Sequence, residues 1–312
     1  MSGPVTPADT SPSPESGDVE QRVLEVLDSR EAQVGTMRVR RALPRRHHRT
    51  VGAWCFADHM GPVAIDLDGG IDIGPHPHMG LQTVTWLLAG EILHRDSLGS
   101  EQLIRAGQLN LMTAGHGVSH SEEGTGRYRG DLHGIQLWVA QPEATRGGAA
   151  EFEHHAELPA VELDGAVATV VVGEFGGVRS PARCDTEHEG IQLDLRPGTA
   201  TAPLDPTHEY ALVVLDGAVE CEGAVIEPGH LAYVGTGRDE LAFSTDAGAT
   251  AMLLGGEPFP EEILMWWNFV ARSTDEVDAG YASWAADDGR FGTVDSSLDR
   301  IPAPRPMWST RG

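Results

Sequence analysis

The chain has 312 residues, with 22 Arg, no Lys and 47 Asp plus Glu, for a formal net charge of −25. A surface this acidic repels nucleic-acid phosphates and anionic membrane surfaces, which argues against a DNA-binding domain or a polybasic anchor. A hydrophobic share of 40% supports one large or two ordinary domains, and 38 Gly with 20 Pro point to many tight turns, hence to β structure.

Residues 1–18 are mostly Ser, Thr, Pro and Gly without hydrophobic periodicity and read as a disordered tail. No basic segment followed by an apolar run marks a signal peptide. The apolar runs, such as Trp86-Leu87-Leu88-Ala89, fall far short of the roughly 20 residues of a membrane span. Cys55, Cys184 and Cys221 form no C-x-x-C pair and no disulfide framework. The expectation is a soluble cytoplasmic protein.

A basic strip follows the tail: Arg38, Arg40, Arg41, Arg45, Arg46, His47, His48 and Arg49. It reads as a solvated strand edge, or as a set of cations paired with the protein's own carboxylates; a binding strip is the other option. From Val51 onward, short β-type runs alternate with Gly, Pro and Asp. Examples are Thr83-Val-Thr-Trp-Leu-Leu, Gly134-Ile-Gln-Leu-Trp-Val and Val167-Ala-Thr-Val-Val-Val. Regular short strands with turn signals predict an antiparallel sandwich or barrel. Late in the chain, Ser273-Thr-Asp-Glu276 has capping-box spacing ahead of Val277, Tyr281 and Trp284, and predicts a helix.

The chain also repeats itself. Trp86–His94 aligns with Val213–Cys221, and Ile104–Gly115 with Ile226–Gly237, with matching glycines. This predicts two copies of one β-barrel, joined near 141–160.

His76-Pro-His78 is an H-x-H pair, and His120-Ser-Glu122 has the same spacing. In a strand, residues i and i+2 face one way. On neighbouring strands, three imidazoles and one carboxylate would converge inside the barrel. That donor set suits Fe(II), and also Mn, Ni, Cu or Zn, and leaves about two octahedral positions open. The repeat places Pro203, Asp205, Ala242 and Ser244 at the corresponding positions of the second copy, which predicts no metal there. His94 could line the barrel near the metal; His133 reads as structural, His154-His155 as solvated, and Met112 as core. Trp266-Trp267 reads as a packing anchor or a pocket wall.

The run His76-Pro-His-Met-Gly-Leu-Gln-Thr-Val-Thr-Trp, then His94-Arg-Asp-Ser-Leu-Gly, then Met112-Thr-Ala-Gly-His-Gly-Val-Ser-His-Ser-Glu122, resembles the pirin family signature. The likeness extends from Ala57-Asp-His-Met-Gly-Pro62 to Trp267-Asn-Phe-Val-Ala-Arg272, about residues 35–300. It implies an all-β bicupin: two stacked cupin-type antiparallel barrels with a short C-terminal helix. Together with the composition and the repeat, the expected division is a tail over 1–18, a metal-binding barrel over 19–145, a linker over 146–160, a metal-free barrel with the helix over 161–300, and a tail over 301–312. The family's ligands fall on His76, His78, His120 and Glu122, with one mononuclear metal, Fe(II) first among the candidates.

Two residues depart from the family pattern. Gln82 stands where Glu is usual, removing a carboxylate expected near the metal, and His116 stands where Arg is common. The resemblance implies a quercetin 2,3-dioxygenase-type enzyme acting on a flavonol with O2; the substrate needs a base, and Glu122 is the available carboxylate, doubling as a detachable ligand, while a monomer is the expected state. The alternative is a redox-sensing, non-catalytic regulator that binds a transcription factor or a metabolic enzyme.

Overall fold

The computed structural model describes residues 24–35, 37–65 and 71–310, so the tail expected over 1–18 lies outside the described residues. Two large antiparallel sheets dominate, each seven strands wide. The first runs in the order Glu151–His155, Leu109–Thr113, Leu81–Ala89, Gly130–Ala140, Trp54–Ile65, Met37–Leu43, Arg30–Val34. The second runs Glu25–Asp28, His230–Gly235, Glu209–Gly217, Ala249–Gly256, His188–Leu195, Ala166–Val172, Ala160–Leu163. Each faces its own four-stranded sheet: Ile73–His78, Val118–Glu123, Glu91–Asp96, Glu101–Arg105 in one half, and Gly198–Pro203, Glu240–Thr245, Val219–Cys221, Ala224–Ile226 in the other. The two halves repeat one strand order, as the internal repeat predicts.

Strand alternation explains how the barrels stack. Along Leu81–Ala89, Val84 and Trp86 point away from the first barrel's interior. They join Leu109, Leu111, Ile135 and Leu137 in a core shared with Val213, Leu215, Met252 and Leu254 of the second barrel. Polar ends inside this dry seam are satisfied: Trp86 Nε1 donates to Gln192 Oε1 at 2.6 Å, and Trp54 Nε1 lies 3.1 Å from both the Glu189 and Gly255 carbonyls.

Each large sheet is completed by a strand from outside its own repeat. Glu25–Asp28, inside the segment expected as the first barrel over 19–145, pairs with His230–Gly235 of the second. Glu151–His155, inside the segment read as a linker over 146–160, pairs with Leu109–Thr113 of the first. His154 is therefore not simply solvated: its Nδ1 lies 2.8 Å from Asn110 Oδ1.

The inward positions of the second small sheet include Ala200, Ala202, Leu241, Phe243 and Cys221, all part of one apolar cluster. This corrects the repeat alignment. Pro203, Asp205 and Ala242 are exposed and Ser244 is half-buried, so none is the inward counterpart of a histidine. The alignment through glycines slipped out of strand parity; the true inward residues offer no imidazole or carboxylate.

The helix forms at Thr274–Ala286, with Ser273 as its N-cap accepting from the Glu276 N–H. It buries Val277, Gly280 and Trp284 against Met79, Phe269 and Phe291. The segment expected as a tail over 301–312 packs on this unit as far as it is described. Ile301 N–H donates to the Pro75 carbonyl at 2.9 Å, and Trp308 Nε1 to Asp278 Oδ1 at 3.1 Å. Among the described residues, no helix is long and apolar enough to cross a membrane.

The seam carries a pH dependence. His188 is buried beside the Trp54 edge, with Nδ1 2.8 Å from Thr186 Oγ1 and 3.3 Å from Cys184 Sγ, and the Thr186 carbonyl and the Asp185 charge favour its protonated form. Burial lowers its pKa from 6.5 to about 4. The unfolded chain therefore binds a proton that the folded chain refuses between those values, and stability falls as pH drops from 6.5 toward 4. At 1.36 kcal/mol per unit this one group removes about 3 kcal/mol. His59, lowered to about 3, acts in the same direction, whereas Glu122, raised to about 7, acts oppositely. Thermal melts from pH 7.5 to 4.5 should show a falling Tm, and His188→Asn should flatten the slope; an equal slope in the variant would refute the assignment.

Candidate metal centre

The two histidine-bearing segments are adjacent strands. Val118–Glu123 pairs antiparallel with Ile73–His78, with His120 directly opposite His76 and Val118 opposite His78. A bulge between His120 and Glu122 shifts the register, and Glu91–Asp96 flanks the other edge with His94 opposite Glu122. All four sequence-predicted residues, His76, His78, His120 and Glu122, are buried and line one cavity.

The three imidazoles converge. Their donor atoms lie within 4.8 Å of one another. His76 Nδ1 faces the Gly74 carbonyl at 2.9 Å and His78 Nδ1 faces the Asn268 carbonyl at 3.2 Å. A carbonyl accepts only, so each Nδ1 carries the proton and each Nε2 presents a lone pair. His78 Nε2 and His120 Nε2 are 3.1 Å apart. Two neighbouring octahedral ligands on bonds of about 2.1 Å stand about 3.0 Å apart, so this spacing fits a shared cation.

Burial keeps these rings neutral. It lowers His76 to about 4, and it is the largest cause for His78 and His120, both held well below the ordinary histidine value. Glu122 lies outside the tight group. Burial raises its carboxyl to about 7, and its hydrogen-bond contact is a long one, Thr85 Oγ1 at 3.5 Å. A buried carboxylate so thinly partnered is one that a cation would stabilise.

The cavity above these groups has a volume of about 450 Å3, within the ~300–1,000 Å3 of sites for drug-sized ligands. One wall is apolar, with Met37, Val39, Met60 and Ile73. Another is aromatic: Phe56 and Trp138 stack at 4.0 Å between centroids. Arg41 caps Phe56 at 4.6 Å and is held by Asp58 through bonds of 2.8 and 2.7 Å. Trp267 also lines the cavity, whereas Trp266 packs against Tyr281 and Trp308, so the tandem divides between pocket and anchor.

Other expectations need correction. Gln82 does not face the metal centre. It shares strand parity with Val84 and Trp86, opposite to Thr85, and its Nε2 donates to Thr113 Oγ1 at 2.9 Å. His116 is exposed, and its carbonyl holds the Arg290 guanidinium. His133 is a buried partner of His59, 2.9 Å between Nε2 atoms, and Met112 is core, both as read. Residues the sequence reading passed over are Asp96, 3.0 Å from His94 Nε2, and Phe152, stacked on His94 at 4.4 Å. The H-x-D spacing of His94 and Asp96 was the available signal.

Residues 36–139 match the pirin family, and residues 190–292 match the pirin C-terminal cupin domain. A Pseudomonas aeruginosa protein named "putative quercetin 2,3-dioxygenase" is 42% identical over 99% of this chain and 98% of its own length. A pirin-like protein of Caulobacter vibrioides is 37% identical over 89% of this chain and 98% of its own. Among solved structures, a quercetin 2,3-dioxygenase from Acinetobacter baumannii superposes with a TM-score of 0.88 at 41% identity, covering 91% of this chain and 95% of that one. With its two stacked cupin barrels and a histidine triad able to hold a metal ion in the first, the chain belongs to the pirin family.

Proposed function

We propose that the protein is a metal-dependent dioxygenase acting on a flavonol such as quercetin, with one ion, Fe(II) first among the candidates, held by His76, His78, His120 and Glu122. The observation that carries this reading is the convergence of three neutral imidazoles at the floor of an apolar and aromatic cavity. The names of the similar proteins support the substrate class. When bound, a redox-active ion supplies Lewis acidity and electron transfer toward O2.

The chain's own groups supply the rest. Phe56, Trp138 and the apolar wall take a flat ring system and exclude water from it. Glu122 is the carboxylate at hand to accept the hydroxyl proton of the substrate at a carboxylate oxygen. Thr85 gives its one hydroxyl proton to Gln136 Oε1 at 2.9 Å, so its 3.5 Å contact leaves the Glu122 carboxylate loosely held at the cavity. Iron-loaded protein should bleach quercetin absorbance while O2 is consumed; Glu122→Gln should slow turnover at least ~100-fold, in the range general-base catalysis contributes. An iron-loaded Glu122→Gln enzyme as fast as the parent would remove Glu122 from the role of base.

A second reading, the partner-binding regulator, is favoured by the basic strip. Arg41 pairs with Asp58 and His48 with Glu25, but Arg45, Arg46 and Arg49 meet no carboxylate among the described residues. These three line a surface cavity of about 630 Å3, and Arg45 Nη1 is buried without a hydrogen-bond partner. An acidic protein surface fits there. Under this reading, loss of partner binding in Arg45→Ala/Arg49→Ala should accompany unchanged flavonol turnover.

A further inference from the structure

We infer that Asp96 and His94 are positioning residues that fix the tautomer of His120, so that its Nε2 lone pair points at the three-imidazole centre. The inference rests on the metal-centre reading above. Asp96 is buried at the start of a tight turn. Its Oδ1 accepts the Leu98 and Ser100 N–H groups at 2.9 and 3.0 Å, and its Oδ2 faces His94 Nε2 at 3.0 Å. A carboxylate occupied in this way leaves His94 Nε2 as the donor. With its one ring proton on Nε2, His94 presents Nδ1 as the acceptor. The group facing that atom is His120 Nδ1, at 3.3 Å. His120 therefore donates from Nδ1 and keeps the Nε2 lone pair, the atom 3.1 Å from His78 Nε2. Stacking on Phe152, with planes 13° apart, holds the His94 ring in the plane this chain of bonds requires.

The turn makes the inference sharp. In Asp96→Asn, the amide oxygen must take the place of Oδ1 opposite the two turn N–H groups. The NH2 group then faces His94 Nε2, which must become the acceptor. His94 moves its proton to Nδ1, His120 Nδ1 must accept, and His120 carries its proton on Nε2, where it blocks a ligand bond. Outer partners of ligating histidines are worth about 10–100-fold in metal affinity.

Nitrogen-15 NMR of the metal-free full chain reads the tautomers, and anaerobic chelator competition reads Fe(II) affinity. Wild type should show His94 protonated on Nε2 and His120 on Nδ1. Asp96→Asn should exchange both and weaken Fe(II) binding 10–100-fold. Wild-type His120 protonated on Nε2 would overturn the inference without any variant, as would Asp96→Asn with unchanged tautomers and affinity. If wild type shows the expected tautomers yet binds no Fe(II), the metal-centre reading fails while the hydrogen-bond chain stands.

Discussion

His78→Ala is expected to abolish O2 consumption with a flavonol and to weaken Fe(II) binding more than ~100-fold, beyond the loss seen for outer partners of ligands. The substitution removes one of three converging imidazoles, the one whose Nε2 stands 3.1 Å from His120 Nε2. It also cuts the bond from His78 Nδ1 to the Asn268 carbonyl, which ties the first barrel to the segment carrying Trp267. Equilibrium dialysis with Fe(II) and an oxygen electrode check both effects. Metal affinity within a few-fold of wild type would remove His78 from the ligand set.

Trp54→Ala should be strongly destabilising, at about 3–5 kcal/mol for loss of a fully buried Trp. Trp54 stands where the barrels meet. Its ring packs against Gly190, where a Cβ would come within 2.9 Å of it, and its Nε1 lies between two second-barrel carbonyls. The deletion opens a cavity and strands acceptors in a buried apolar seam. Denaturant unfolding measures the cost. A loss below ~1 kcal/mol would mean that the seam relaxes around the gap and does not bind the two barrels as described.

The convergence of the three imidazoles was legible because strand geometry is local: two i, i+2 pairs announce two inward faces wherever the strands lie, and the structure sets His76 opposite His120. The doubled barrel was legible because repeated glycines mark repeated turns. What the sequence concealed depends on distant pairing. Nothing near Glu25–Asp28 says that it completes a sheet of the second barrel. Gln82 follows the H-x-H motif closely, yet the turn at Gly80, with φ of +70°, intervenes and the next strand's parity turns Gln82 away. The same parity error misplaced Pro203 and Ala242 in the second barrel, where one residue of slip exchanges inside for outside. Asp96 was hidden for a different reason: its role lies in a relay through His94, and spacing alone does not show which imidazole a carboxylate serves.

The proposed activity is oxygen chemistry on a flavonol in this cavity when its histidines hold iron. The most direct measurement mixes anaerobically iron-loaded protein with quercetin, admits air-saturated buffer, and follows O2 and quercetin absorbance together. Both should fall in proportion, metal-free protein should leave both unchanged, and His78→Ala should behave as metal-free protein does. Iron-loaded wild type that leaves quercetin and related flavonols intact, with no O2 consumed, would contradict it.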